Sequence, residues 1–166
     1  MIYLDLDGVF ANFDKAVLDR TGFSYESDPK SAWPVLDKIP NFFATLEPLP
    51  GAHVMFGHIA NLALMHGETM AILTALPMLT NELSTAEKDK KDWVAKYLDP
   101  DIDVICVSNW SRKAEYVYEG NILIDDSARN IRSWCEQGGI GILHHSAYPN
   151  ATTRSLAAFL QLGTEY

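Results

Sequence analysis

A chain of 166 residues, 48% apolar and 21% charged, has the size and make-up of one globular domain with room for a small insertion. A chain of this size buries about two-thirds of its unfolded surface, so it needs no disulfide or structural metal to hold together. A formal net charge of -9 excludes a nucleic-acid polymer or an anionic membrane surface as partner, since both demand clustered Lys and Arg. Small anionic substrates remain admissible, because a metal and one or two local cations can reverse the sign at a site.

The chain opens on Ile2, Tyr3, Leu4 and Leu6, an apolar run short enough for a buried parallel strand covered on both faces. With a strand beginning at Ile2 and no apolar run of about 18 residues, neither a signal peptide nor a membrane span is expected. Residues 10–20 have helical periodicity through Phe13, Val17 and Leu18, with Gly22 as the stop. From 23 to 50 the pattern is broken by Pro29, Pro34, Pro40, Pro48 and Pro50, which leaves room for short helices only. Trp33, Phe42 and Phe43 would be expensive to expose in a plain loop. Residues 14–50 are therefore expected to form a small helical cap, inserted into a core of residues 1–13 and 51–166.

Helix follows over 52–66. A second strand over 69–73 ends in Thr74, and Ser84-Thr85-Ala86-Glu87 has capping-box spacing for a helix through Trp93, Val94, Tyr97 and Leu98. A third strand over 102–107, a short helix over 111–117 carrying Lys113, and a fourth strand over 121–124 ending in Asp125 and Asp126 come next. Ser127 caps a helix with Ile131 and Trp134, a fifth strand covers 140–143, and a last helix covers 152–162. This alternation predicts an α/β, Rossmann-like fold: a five-stranded parallel sheet with helices on both faces. Cys106 and Cys135 read as buried thiols in a reducing cytoplasm. None of the five histidines has metal-ligand spacing, and His144-His145 reads as a solvated loop pair.

In a parallel sheet every strand ends on the same edge, so Asp5, Asp7, Thr74, Lys113, Asp125 and Asp126 converge there. Four carboxylates would overload that edge unless a hard cation, Mg²⁺ before others, sits among them. A hydroxyl and an ammonium beside such a metal suit the anionic oxygens of a phosphate. Asp-x-Asp-Gly also opens calcium loops, but these need an oxygen ligand at the fifth position and Glu at the twelfth, where Val9 and Ala16 stand.

With these residues assembled, the chain resembles the haloacid dehalogenase superfamily of phosphohydrolases, through Asp5-Leu6-Asp7-Gly8-Val9, Thr74, Lys113 and Ile122-Leu123-Ile124-Asp125-Asp126. Within it the resemblance is nearest to the 5′(3′)-deoxyribonucleotidases, through DLDGVFANF from Asp5, NFFATLEPLPGA from Asn41, WVAKYL from Trp93, and ILIDD. It runs from Met1 to about Ser127 and is looser beyond. It implies Asp5 as nucleophile, giving an aspartyl-phosphate, and Asp7 as the acid that protonates the leaving oxygen and then the base that takes a proton from water. It implies Thr74 and Lys113 as phosphate ligands, and Asp5, the Asp7 backbone carbonyl and Asp125 or Asp126 around Mg²⁺. Phe13, Trp33 and Phe43 would form the nucleoside pocket. The implied substrate is a small phosphate ester, a nucleoside monophosphate first, handled by a cytoplasmic monomer or homodimer. Another small phosphate ester, or a binding module without catalysis, are the alternatives. Ala75 stands where nucleotidases carry Ser, and the interval from Trp33 to Phe43 is longer than the family's.

Overall fold

The computed structural model describes residues 1–78 and 81–162. The five apolar runs form β1 (Ile2–Leu4), β2 (Met70–Ala75), β3 (Asp103–Val107), β4 (Ile122–Asp125) and β5 (Ile140–Leu143). All pair in parallel, in the order β3-β2-β1-β4-β5, with Leu4 opposite Ile72 on one side and Ile124 on the other. The helices are α1 (Phe13–Thr21), α2 (Pro29–Leu36), α3 (Ala52–Met65), α4 (Ala86–Tyr97), α5 (Ala128–Glu136) and α6 (Pro149–Leu162).

Successive strand residues point to opposite faces, and the two faces bury different partners. Ile2, Leu4, Ile72, Ile122 and Ile124 share one cluster with side chains of α3, α4 and α6, including Ile59, Trp93 and Leu156. Tyr3, Ala71, Leu73 and Leu123 face the other way, onto Trp134 and Ile131 of α5 and Tyr116 of a 3-10 segment. Tyr3 meets Trp134 and Tyr116 edge-on, with ring centroids 5.6 and 6.0 Å apart. The predicted sheet with helices on both faces is the one observed.

The segment around residues 13–50 has no core of its own. Val17, Ala32, Leu36, Phe42, Phe43 and Leu46 join the same cluster as Leu4 and Ile124. Asp28 caps α2 by accepting from the Ser31 N–H at 3.2 Å, and Pro29, whose missing N–H is no loss at a helix start, opens it. The Trp93 indole donates to the Leu46 carbonyl at 2.8 Å, tying α4 to the end of this segment.

Four local expectations are corrected. The capping box does not form: residues 81–85 already run as a 3-10 helix, so Ser84 lies inside a helical turn. Thr85 stands at the start of α4 and its hydroxyl turns to the Asp89 carboxylate at 3.0 Å. The predicted helix over 111–117 is a 3-10 segment, Trp110–Tyr116. Cys135 is exposed and Cys106 only partly buried; Cys135 follows Trp134 on α5, and one residue turns about 100° away from the face that Trp134 buries. His144 is not solvated: it is buried, with Nδ1 2.9 Å from the Thr152 hydroxyl of α6, and burial lowers its pKa to about 4 with His145 adding to the shift. No described helix is long and apolar enough to cross a membrane.

Candidate active site

Asp5 holds the last rung of β1, its N–H donating to the Ile124 carbonyl at 2.9 Å. Its Oδ1 accepts from the Leu6 N–H and pairs with Lys113 Nζ, both at 2.8 Å. Among the described residues no side chain bonds Oδ2, and Asp5 lines the main cavity. Lys113 is buried and also reaches Asp125 Oδ2 at 2.7 Å. Burial alone would lower the Lys113 pKa, but Asp5 and Asp125 outweigh it and the net shift is upward. Asp125 is held further by the Ser127 N–H at 2.8 Å and by the Asn130 amide at 3.0 and 3.1 Å. Burial, then the Asp5 charge, still push its carboxyl upward.

Asp126 completes the acidic edge. One carboxylate oxygen from each of Asp5, Asp125 and Asp126 falls within 4.8 Å of the others. Although its side chain opens to the cavity, Asp126 is pushed up to about 8, by desolvation in the concave edge first and then by Asp5 and Asp125. Gly8 makes room for it. Gly8 has φ +76°, and a Cβ there would lie 2.0 Å from Asp126 Oδ2. Three carboxylate oxygens gathered within 4.8 Å of one another are a hard, all-oxygen donor set, and they fit Mg²⁺.

Asp7 has the opposite environment from Asp5, although only Leu6 separates them. Its Oδ2 lies 2.6 Å from Lys90 Nζ, while its Oδ1 is buried without a hydrogen-bond partner. Desolvation is the largest influence on its pKa and, together with the Asp5 charge, outweighs the lowering by Lys90, so the net shift is upward. Lys90 also donates to the Thr74 hydroxyl and the Ala75 carbonyl, both at 2.9 Å, and sits 4.6 Å from the centre of the Phe43 ring.

Lys90 is the functional-site residue that the sequence does not announce, because it stands in the charged run Glu87-Lys88-Asp89-Lys90-Lys91-Asp92. Helical spacing does carry a signal. Ala86, Lys90, Trp93 and Val94 fall on one face at i, i+4, i+7 and i+8, and all four are buried.

A cavity of about 750 Å³ opens over this edge. Its floor includes Asp5, Asp7 and Asp126, and one wall is aromatic: Phe13, Tyr25, Trp33 and Phe43. Phe13 lies 6.1 Å from both Trp33 and Phe43, nearly parallel to the latter at 10°. The three aromatics singled out in the sequence thus share one wall. Phe42 does not line the cavity and packs behind Phe13 and Phe43 as core. Thr74 and Lys113 lie beneath the surface rather than on the wall, 1% and 2% exposed, each already bonded to another polar group of the edge.

A parallel α/β sheet with paired acids after its first strand and another pair after β4 defines the class: a haloacid dehalogenase-superfamily phosphohydrolase. Residues 27–158 match the family described as 5′ nucleotidase, deoxy (Pyrimidine), cytosolic type C protein, and the chain belongs to that family. It is accordingly a phosphoric monoester hydrolase of the 5′-nucleotidase type. The matched stretch contains Trp33, Phe43, Thr74, Lys90, Lys113, Asp125 and Asp126, while Asp5 and Asp7 precede it. Among solved structures, a hydrolase from Streptococcus pneumoniae TIGR4 is similar in fold at 12% identity and a TM-score of 0.52, over 93% of this chain and 97% of that one. A haloacid dehalogenase-like hydrolase from Burkholderia xenovorans LB400 aligns over 96% of both chains at 10% identity, but its TM-score of 0.45 is too low to bear on the fold. No curated protein sequence matches the chain.

Proposed function

We propose that this chain hydrolyses nucleoside 5′-monophosphates, deoxynucleotides among them, in a Mg²⁺-dependent reaction through an aspartyl-phosphate on Asp5. The observation that carries the reading is the contrast between Asp5 and Asp7. Asp5 Oδ1 is tied down by Lys113 and the Leu6 N–H, which orients the carboxylate with Oδ2 left to attack. Asp7 is turned to Lys90, away from the Asp5–Asp125–Asp126 cluster, in an environment that favours its protonated form.

In the first step Asp5 Oδ2 forms a bond to phosphorus, the bond to the nucleoside oxygen breaks, and the Asp7 proton passes to that departing oxygen. In the second, Asp7 takes a proton from water as the water oxygen attacks phosphorus, releasing phosphate and restoring Asp5. Asp5, Asp125, Asp126 and the Asp7 backbone carbonyl would hold Mg²⁺, which when bound neutralises carboxylates and phosphate oxygens together. Thr74 and Lys113 would turn toward the transferred phosphoryl group when it is present. Residues 14–50 act as the specificity cap, its aromatic wall taking the base. The family's description and two free cysteines support a cytoplasmic setting.

The test is a panel assay of phosphate release from ribo- and deoxyribonucleoside 5′-monophosphates and from base-free phosphate esters, with and without Mg²⁺. Turnover that needs Mg²⁺ and favours nucleotides supports the reading. Metal-independent turnover, or preference for base-free esters, overturns the corresponding part.

A further inference from the structure

The cavity wall carries charge that turnover of a simple monophosphate does not use. Asp5, Asp7, Asp14, Asp37 and Asp126 line it, and the single cationic side chain among its lining residues is Arg129. Lys90 and Lys113 are spent beneath the surface on Asp7, Asp5 and Asp125. Arg129 lies in the first turn of α5, three residues after Asp126, yet among the described residues it forms no hydrogen bond or ion pair. It is nevertheless held in place: its guanidinium carbon sits 3.9 Å from the centre of the Trp110 ring. A guanidinium stacked by its face keeps its N–H edge free and fixed in direction, which is the pre-organised state for a carboxylate or phosphate.

A second donor stands on the cap side. Tyr25 lines the same cavity as Arg129; burial pushes its hydroxyl pKa up, and the hydrogen bond with the Trp33 side chain and then the Arg129 charge oppose that push. An indole N–H can only donate, so the Tyr25 O–H itself stays available as a donor. Asn109, which spends its Oδ1 on the Ser111 N–H at 3.0 Å, lines the cavity beside Trp110. An anion entering this cavity meets carboxylates along its floor and its cap side, and among the described lining residues it finds a cation only at Arg129.

We propose that Arg129, with the Tyr25 hydroxyl, forms a subsite for a second anionic group, phosphate or carboxylate, carried on the leaving part of the substrate. The preferred substrates are then bis-anionic: one phosphoryl group is transferred at Asp5 and the other acid is held at the mouth. This rests on the phosphatase reading but not on the nucleoside, since a second acid can be carried by a sugar or by a base-free leaving group.

The experiment uses two substrate pairs, each differing by one acidic group: deoxyuridine 5′-monophosphate against deoxyuridine 3′,5′-bisphosphate, and phenyl phosphate against 4-carboxyphenyl phosphate. Phosphate released from the 5′ position or from the phenol is followed for wild type, Arg129→Met and Arg129→Lys. A charge-assisted hydrogen bond predicts that wild type favours the bis-anionic member of at least one pair by about 10–100-fold in kcat/KM. Arg129→Met should collapse that ratio toward one and Arg129→Lys should keep part of it; Tyr25→Phe should reduce it less than Arg129→Met. A preference confined to the nucleotide pair identifies a second phosphate on the sugar as the source. One confined to the carboxyphenyl pair keeps the subsite and places the second acid on a base-free leaving group as carboxylate, overturning a 3′-phosphate as its source. A wild-type ratio near one in both pairs, or a ratio that Arg129→Met leaves unchanged, overturns the subsite while phosphate release itself still tests the phosphatase.

Discussion

Lys90 Nζ lies 2.6 Å from Asp7 Oδ2, joining the inward face of α4 to the loop after β1 across 83 positions of sequence. The same ammonium holds the Thr74 hydroxyl and the Ala75 carbonyl and touches the Phe43 ring. It is buried to 1% exposure, so its charge is tolerable only because these partners are in place. One side chain thus sets the direction of the proposed acid, braces the end of β2 and backs the aromatic wall.

Lys90→Met should therefore share the kinetic signature of Asp7→Asn. Both variants should lose about 10²–10⁴-fold in kcat on a nucleoside monophosphate, whose alkoxide leaving group needs a proton. Both should lose less on p-nitrophenyl phosphate, whose leaving group departs unaided. Equal losses on the two substrates for Asp7→Asn would falsify its acid role, and for Lys90→Met would reduce Lys90 to a structural part.

Asp5→Asn should abolish turnover while the protein stays folded. An amide cannot attack phosphorus, and the change removes a negative charge that pushes the carboxyls of Asp7, Asp125 and Asp126 upward. Lys113 keeps Asp125 at 2.7 Å, so no buried cation is orphaned. Phosphate release and thermal unfolding measured on the same preparation check both halves, and residual turnover at the wild-type level would remove Asp5 from the nucleophile's role.

Much of this edge is legible in the sequence because a parallel sheet sends every strand end to one side. Asp5, Asp125 and Asp126 meet without any knowledge of side-chain packing. The aromatic wall was legible only in part: Trp33, Phe42 and Phe43 are too costly to expose in a Pro-broken segment, while Phe13 entered the pocket through the resemblance, and Phe13, Trp33 and Phe43 are the three that line the cavity. What the sequence hides depends on rotation about a helix or on long-range pairing. Lys90 sits in a charge run that looks solvated, and only its angular position on α4 betrays it. His144 looks like half of an exposed pair until α6 returns and sets Thr152 against it. Phe42 and Phe43 are neighbours with the same chemistry, yet a 3-10 turn sends one into the core and the other to the cavity wall.

Gly8→Ala tests the acidic cradle. The new Cβ would stand 2.0 Å from Asp126 Oδ2, at a φ of +76° that L-residues rarely adopt. Asp126 must move, so activity should fall strongly, and the backbone strain should cost on the order of 1–3 kcal/mol of stability. Any rise in Tm on adding Mg²⁺ to wild type should shrink or vanish in the variant. An unchanged Mg²⁺ response would show that Asp126 is not part of the cation site.

Substrate choice is best tested at Trp33. Phe43 is 2% exposed, stacked near Phe13 and placed over Lys90, so Phe43→Ala should cost about 3–5 kcal/mol in packing and disturb Asp7 as well. Trp33 is only partly buried and lines the cavity. Stacking on a base is worth roughly 1–3 kcal/mol, so Trp33→Ala should lower kcat/KM for a deoxynucleoside monophosphate about 5–150-fold. Turnover of a base-free ester should change far less, and a proportional loss on both substrates would assign Trp33 to packing alone.

The acidic edge should also make stability depend on pH in a direction that Mg²⁺ reverses. Asp126 is held near pKa 8 in the folded metal-free chain against a usual value of 3.8, so between these values the folded state binds more protons than the unfolded one. Stability of the metal-free protein must then fall as pH rises through that window, and the upward shifts of Asp7 and Asp125 act in the same sense. His144 works the opposite way lower down: lowered to about 4 from 6.5, it lets the unfolded chain take up the extra proton, so its contribution is lost as pH falls through that range. The interval from 6.5 to 8 therefore isolates the carboxylates from His144. In the presence of a chelator, Tm should decline across it. With millimolar Mg²⁺ the decline should flatten or invert, because a cation binds the ionised cluster and stabilises by mass action, more at pH 8 than at 6.5. Scanning calorimetry at four pH values with and without Mg²⁺ decides the matter. Parallel curves would mean that Asp5, Asp125 and Asp126 do not hold the ion.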